Sequence, residues 1–229
     1  MIQIFKVRYV LLFLLISTLI TGCGLDNYDP PKSQLSGQIV YNDQPVHVKG
    51  TYGAIQLQLY QDGYALKNPI SVFVDQNGKF EATLFDGTYK LVTRDKNGPW
   101  VNSRDTTIVN VKGNSFVELE VTPYFTISNP TVSLNGAQLT GSCTVDKIVS
   151  TANLDFIKLF INGTSFVDEN INVLSVSSNA LAVGNNTFSL TLNADQQAKL
   201  NSLKGVYARI GVKTQGADQA IYSEVFQLK

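Results

Sequence analysis

Histidine is nearly absent from this chain. His47 is the only one in 229 residues, and it lies in Gln44-Pro45-Val46-His47-Val48, a turn or the start of a strand, where an imidazole is ordinarily solvated and inert. No Gly-x-Ser-x-Gly elbow, His-Glu-x-x-His pair or paired-cysteine metal motif accompanies it. Asp75, Asn77 and Glu81 have the composition of a calcium loop, but the spacing fails the Asp-x-Asp-x-Asp-Gly pattern with its distant Glu. No catalytic residue, metal or cofactor is expected. Charge of one sign is lacking too, with 18 basic residues against 18 acidic and no basic cluster, which excludes the electrostatic footprint of a nucleic-acid binder and a polybasic patch for anionic lipid. Long apolar runs are missing as well. The stretch from about Tyr9 to Ile20 is shorter than the roughly 20 residues that cross a bilayer as a helix.

That stretch has the form of a removable leader, residues 1–22. Lys6 and Arg8 give a basic start, residues 10–20 an apolar centre, and Gly22 the small residue a signal peptidase requires. Leu19-Ile20-Thr21-Gly22-Cys23 resembles the lipobox of bacterial lipoproteins. The resemblance implies that the Cys23 thiol is acylated, becomes the first residue of the mature chain and holds it to a membrane by several acyl chains. Without Lys6 and Arg8 the remainder is slightly acidic, and it is long enough for two domains of about 100 residues each. Residues 23–33, broken by Pro30 and Pro31, form a tether. Gly24 replaces the acidic residue that retains some lipoproteins at the inner membrane. Asp26 and Asp29 resemble the acidic stretch of Bacteroidetes lipoproteins exported to the surface, which implies an outer-membrane location facing the exterior.

Only two cysteines are present, so with Cys23 lipidated no intrachain disulfide can form. Cys143 shares one strand face with Leu139 and Val145, as a small buried hydrophobe would, and no histidine stands near it to activate a nucleophile.

From Gln34 onward short period-two segments alternate with turns, the pattern of strands. Residues 71–75 and 79–84 flank Gln76-Asn77-Gly78, where Gly78 supplies a positive φ and Asp75 can accept from turn amides. Further strands fit 55–60, 89–93, 106–111 and 116–121. Strand cycles restart near Phe125, after Val121-Thr122-Pro123-Tyr124. Residues 131–134, 138–145, 156–162, 187–192, 207–213 and 222–228 follow. Asn193-Ala194-Asp195-Gln196 predicts a capping box and a short helix to about Leu200. The fold class is all-β, with two tandem β-sandwich domains at 34–122 and 123–229.

Ser36-Gly37-Gln38-Ile39-Val40, Asp75-Gln76-Asn77-Gly78-Lys79-Phe80 and Phe85-Asp86-Gly87-Thr88-Tyr89-Lys90-Leu91 together resemble the carboxypeptidase-regulatory-like domain, a transthyretin-like sandwich without catalytic residues. With the lipobox and tether, that half is similar to a family of Bacteroidetes lipoproteins whose second domain is another sandwich. Gly205-Val206-Tyr207-Ala208-Arg209-Ile210-Gly211-Val212-Lys213 resembles a fibronectin-type-III strand, but Val206, Ala208, Ile210 and Val212 share its apolar face, which makes the second domain immunoglobulin-like instead. The resemblance implies a setting beside outer-membrane glycan-uptake complexes and no specific activity.

Trp100, the only tryptophan, lies among the turn formers 94–102. Two placements are open. On an exposed loop its ring would stack against a sugar, with Asp95, Asn97 and Asn102 as hydrogen-bond partners; folded back, it would cap the sandwich or pack at the domain junction. Asp105-Thr106-Thr107 resembles a short O-glycosylation motif of exported Bacteroidetes proteins. Two functions fit this chain. One is a non-catalytic surface lipoprotein accessory to glycan binding or uptake. The other is a structural or adhesive protein using its sandwiches as spacers, with no small ligand.

Overall fold

The computed structural model describes residues 29–63, 66–103 and 105–229. The leader, the lipidation at Cys23 and the tether up to Tyr28 lie outside the described residues. Among those described, no helix is long and apolar enough to cross a membrane.

The N-terminal half is a two-sheet sandwich. One sheet runs β2 (Gln44–Pro45), β1 (Ser33–Tyr41), β5 (Lys79–Leu84), with β8 (Asn114–Glu120) parallel to β1; the other runs β4 (Ile70–Phe73), β3 (Gln56–Tyr60), β6 (Gly87–Thr93), β7 (Thr107–Val111). Alternation places Leu35 and Ile39 of β1 and Leu57 and Leu59 of β3 between the sheets, fully buried, while their neighbours face out. The 75–79 hairpin closes as its residues require. Asp75 Oδ1 accepts from the amides of Asn77 and Lys79, both at 2.8 Å, and Gly78 takes φ 79°. That turn accounts for the residues of the apparent calcium loop.

The C-terminal half repeats the architecture. β13 (Gly184–Thr191), β10 (Gln138–Lys147) and β9 (Phe125–Asn135) form one sheet; β12 (Leu174–Ser177), β11 (Leu154–Asn162), β14 (Tyr207–Thr214) and β15 (Ile221–Tyr222) form the other, with β16 (Phe226–Gln227) also on β14. Helix α1 (Ala194–Ser202), the single α-helix among the described residues, begins with a complete capping box: Asn193 Oδ1 accepts from the Gln196 amide at 2.9 Å, and Gln196 Oε1 from the Asn193 amide at 3.0 Å. Val206, Ala208, Ile210 and Val212 are buried together, as their shared face requires. Cys143 is buried, and desolvation raises its pKa to about 11, so it stays a neutral thiol.

One apolar core runs through both sandwiches, with Trp100, Val121 and Phe125 from around the junction among its members. The junction also carries a buried cation. Arg209, on the outward face of β14, donates to Val48 O (2.9 Å) and Gln76 O (2.7 Å) of the N-terminal sandwich and to Ser223 O (2.7 Å) of its own, while its guanidinium lies 4.6 Å from the Tyr222 ring centroid. Burial pulls its pKa down to about 10, still charged at neutral pH. The Tyr222 amide donates to His47 O at 3.0 Å. His47 is therefore half-buried at the junction, which corrects the expectation of a solvated loop histidine, and burial lowers its pKa, with Arg209 adding to the effect.

Candidate functional site

An exposed pair of aromatic rings lies away from Trp100, at Tyr52 and Phe73. Residues Thr51–Gly53 form a single 3-10 turn in which Tyr52 takes φ 56° and ψ 23°, followed by Gly53 at φ 60°. The left-handed conformation costs a residue with a side chain about 1–2 kcal/mol, and it persists only where the surroundings enforce it. Here they do. Thr51 Oγ1 donates to the buried Asp168 Oδ2 at 2.5 Å, and Asp168 Oδ1 is held by the amides of Asn170 (2.7 Å) and Ile171 (2.9 Å). On the other side Asn97 donates from Nδ2 to Ala54 O at 2.7 Å and accepts from the Gln56 amide at 2.6 Å. The enforced turn projects Tyr52 into solvent, with 87% of it exposed.

Phe73 stands beside it. In Ser71-Val72-Phe73-Val74-Asp75 the two valines point into the core, so the strand period turns Phe73 outward, 57% exposed. Its ring lies over Gly53, where an added Cβ would come within 2.8 Å of Phe73 Cδ1 and Cε1. Glycine at 53 thus serves both the backbone angle and the close approach of the ring. Together Tyr52, Gly53 and Phe73 floor a shallow groove of about 750 Å3, edged by Asp75, Lys79 and Glu81. Flat apolar rings flanked by side chains that donate and accept hydrogen bonds can take a polyhydroxylated ring face-on, at little cost in side-chain entropy. The sequence signal for Phe73 was an aromatic out of phase with its valines. For Tyr52 there was none beyond the neighbouring Gly50 and Gly53.

Trp100 is buried, with 3% exposed, so of its two open placements the ring takes the folded-back one. Its indole folds back over Gly98, where a Cβ would lie 2.1 Å from Cε2, and its backbone bridges to Pro123 at the junction. Val101 N donates to Thr122 O at 2.9 Å and Tyr124 N to Pro99 O at 3.1 Å, so the loop zips onto the interdomain segment. Among the described residues the indole Nε1 has no hydrogen-bond partner. The expected partners have structural tasks: Asn97 anchors the start of β3 and Asn102 Oδ1 accepts from the Lys96 amide at 2.7 Å, whereas Asp95 is exposed on the loop. Only an edge of Trp100 reaches a separate groove with Asn102, Asp105 and Glu118.

Residues 33–122 match the family profile described as "Protein of unknown function (DUF3823) N-terminal domain", and residues 125–227 match "Domain of unknown function (DUF3823_C)". The crystal structure of a DUF3823 family protein from Parabacteroides merdae is 44% identical, covers 88% of this chain and 100% of its own, and superposes with a TM-score of 0.83. This chain belongs to the DUF3823 family. Another DUF3823 protein, from Bacteroides ovatus, is 30% identical over 86% of this chain and 98% of its own, with a TM-score of 0.76. A candidate carbohydrate-binding protein from Bacteroides uniformis shares the DUF3823 fold at 20% identity, over 87% of this chain and 100% of its own, with a TM-score of 0.70. Among curated proteins none matches. No three His, Cys, Asp or Glu side chains form a possible metal site among the described residues, and this DUF3823 member is a protein of two β-sandwiches.

Proposed function

We propose that this chain is a lipid-anchored outer-membrane protein that binds glycan at the cell exterior through the Tyr52–Phe73 groove, as an accessory to an uptake system. One observation carries the reading: a tyrosine held 87% exposed in a strained backbone conformation, beside an outward phenylalanine seated on glycine. Leaving both rings out of the core while the backbone beneath them is held is the arrangement of a preformed stacking surface. The transthyretin-like and immunoglobulin-like sandwiches are its scaffold, and Cys23 its anchor. The description of the Bacteroides uniformis protein agrees with this reading, although at 20% identity it speaks for the fold alone. A spacer or adhesive role would be served by a long unbroken strand edge. The outer strand β9 is broken by Asn129, at φ 49°, and by Pro130, features that blunt an edge.

Glycan-array binding by the wild type, lost in Tyr52→Ala and Phe73→Ala, tests the site. Binding that survives both substitutions, or no binding to any glycan, overturns it. Fatty-acid labelling that disappears in Cys23→Ala tests the anchor; normal labelling of the variant removes it.

A further inference from the structure

Across the 49–53 segment from the aromatic groove lies a polar depression of about 540 Å3, lined by Lys49, Lys158, Lys213, Phe156, Glu169 and Gln219. The sandwiches build it jointly. Phe156 of β11 and Lys213 of β14 are cross-strand partners, and Lys49 arrives from the N-terminal half to donate to Asn170 Oδ1. The ammoniums of Lys158 and Lys213 lie 5.3 and 6.0 Å from the Phe156 ring centroid. Glu169 serves two of the lysines, at 3.8 Å from Lys49 and 3.5 Å from Lys213, with all three side chains mostly shielded (11%, 18% and 23% exposed for Lys49, Glu169 and Lys213). Lys158 has no ion-pair partner among the described residues; of the other carboxylates, Asp218 lines the depression exposed to solvent, and Asp168 is buried behind it on Thr51 and the Asn170 and Ile171 amides. Positive charge is thus in excess where water screens it poorly, and a second anion among the ammoniums would relieve the repulsion. Gln219 Oε1 is buried there without a hydrogen-bond partner among the described residues.

We propose that the glycan held by the Tyr52–Phe73 platform is acidic, and that Lys49, Lys158 and Lys213 form the subsite for its anionic group, a carboxylate or a sulfate ester. The inference rests on the glycan reading of the platform. Lys49 precedes Tyr52 by three residues, so their Cα atoms are at most about 11 Å apart, and one short oligosaccharide can reach both sites. Ammonium groups act as point charges and receive either anion.

Calorimetric titration of the protein with four ligands tests this: tetragalacturonate, its carboxyl-reduced neutral counterpart, a sulfated carrageenan tetrasaccharide, and tetraglutamate. At least one acidic saccharide should bind about ten-fold more tightly than the neutral one, an advantage that shrinks as salt is raised. The double variant Lys158→Gln/Lys213→Gln should abolish that advantage and leave the weaker, Tyr52-dependent binding of the neutral saccharide. The preferred acidic saccharide identifies the anion. Equal binding of acidic and neutral saccharides, still dependent on Tyr52, overturns the subsite and leaves the platform. Acidic binding that ignores Tyr52 but needs the lysines supports the subsite and overturns the platform. Tetraglutamate binding as tightly as the saccharides overturns the proposal in favour of an acidic peptide, and no saccharide binding overturns both readings.

Discussion

Thr51 gives its hydroxyl to the carboxylate of Asp168, 117 residues further along the chain, so the residue before the exposed Tyr52 is tied to the opposite sandwich. The junction thus holds the backbone of the platform.

Tyr52→Gly should leave stability unchanged or raise it by up to about 1 kcal/mol, because glycine adopts positive φ without the Cβ penalty. Glycan binding should be lost in the same variant. Urea unfolding alongside array binding checks both, and a marked loss of stability would mean that the tyrosine ring supports the fold.

Trp100→Ala should cost about 3–5 kcal/mol, the usual range for emptying a buried tryptophan site, and should leave the affinity for glycan unchanged in whatever fraction remains folded. A stable variant with weakened binding would restore Trp100 as a ligand contact.

Arg209→Ala should destabilise the protein by about 3–5 kcal/mol, since it removes three charge-assisted hydrogen bonds and strands the Val48 and Ser223 carbonyls, Gln76 O alone keeping the Val48 amide. Arg209→Lys should recover only part of this, because one ammonium cannot reproduce the fork. A shift of less than about 0.5 kcal/mol for the alanine variant, the range of ordinary surface changes, would contradict the role given to this junction.

His47 titrates below its ordinary pKa of 6.5 in the folded state, chiefly through burial and then through Arg209, with Glu224, Asp75 and the Gln76 backbone opposing. The unfolded chain therefore binds the proton more readily just below pH 6.5. Stability from this group is complete above that pH and declines as the pH falls toward the folded pKa. Melting temperatures from pH 8 to 5 should show a steeper acid loss for wild type than for His47→Gln. Parallel curves would exclude the effect.

What was legible in the sequence was local. Asp75 and Gly78 announce their hairpin, Asn193 and Gln196 their helix start, and the 206–212 alternation its buried face, because each depends on neighbours within a few residues. The expected strand 222–228 divides into β15 and β16 around Ser223, whose carbonyl and hydroxyl serve Arg209 and the Ile210 amide. The short β12 passed unseen, its Leu-Ser-Val-Ser too brief to stand out. Trp100 was ambiguous for a different reason: Gly-Pro-Trp among polar residues suits a loop that projects and one that folds back equally well, and the choice is made by Thr122 and Tyr124. Tyr52 was invisible because its exposure follows from a backbone angle imposed by Asp168 and Asn97, neither of them near in sequence.

The junction also bears on how such proteins could be recombined. The N-terminal sandwich contributes carbonyl oxygens at Val48 and Gln76, groups that water can satisfy. The C-terminal sandwich contributes a cation shaped to be enclosed. Grafted behind a different leading module, the C-terminal half would carry a guanidinium left with one of its three receiving oxygens, Ser223 O, whereas the N-terminal half would lose apolar cover and the Asp168 tie beneath Tyr52. The costlier loss falls on the buried cation, so exchange of the trailing module is the more tolerable direction of shuffling.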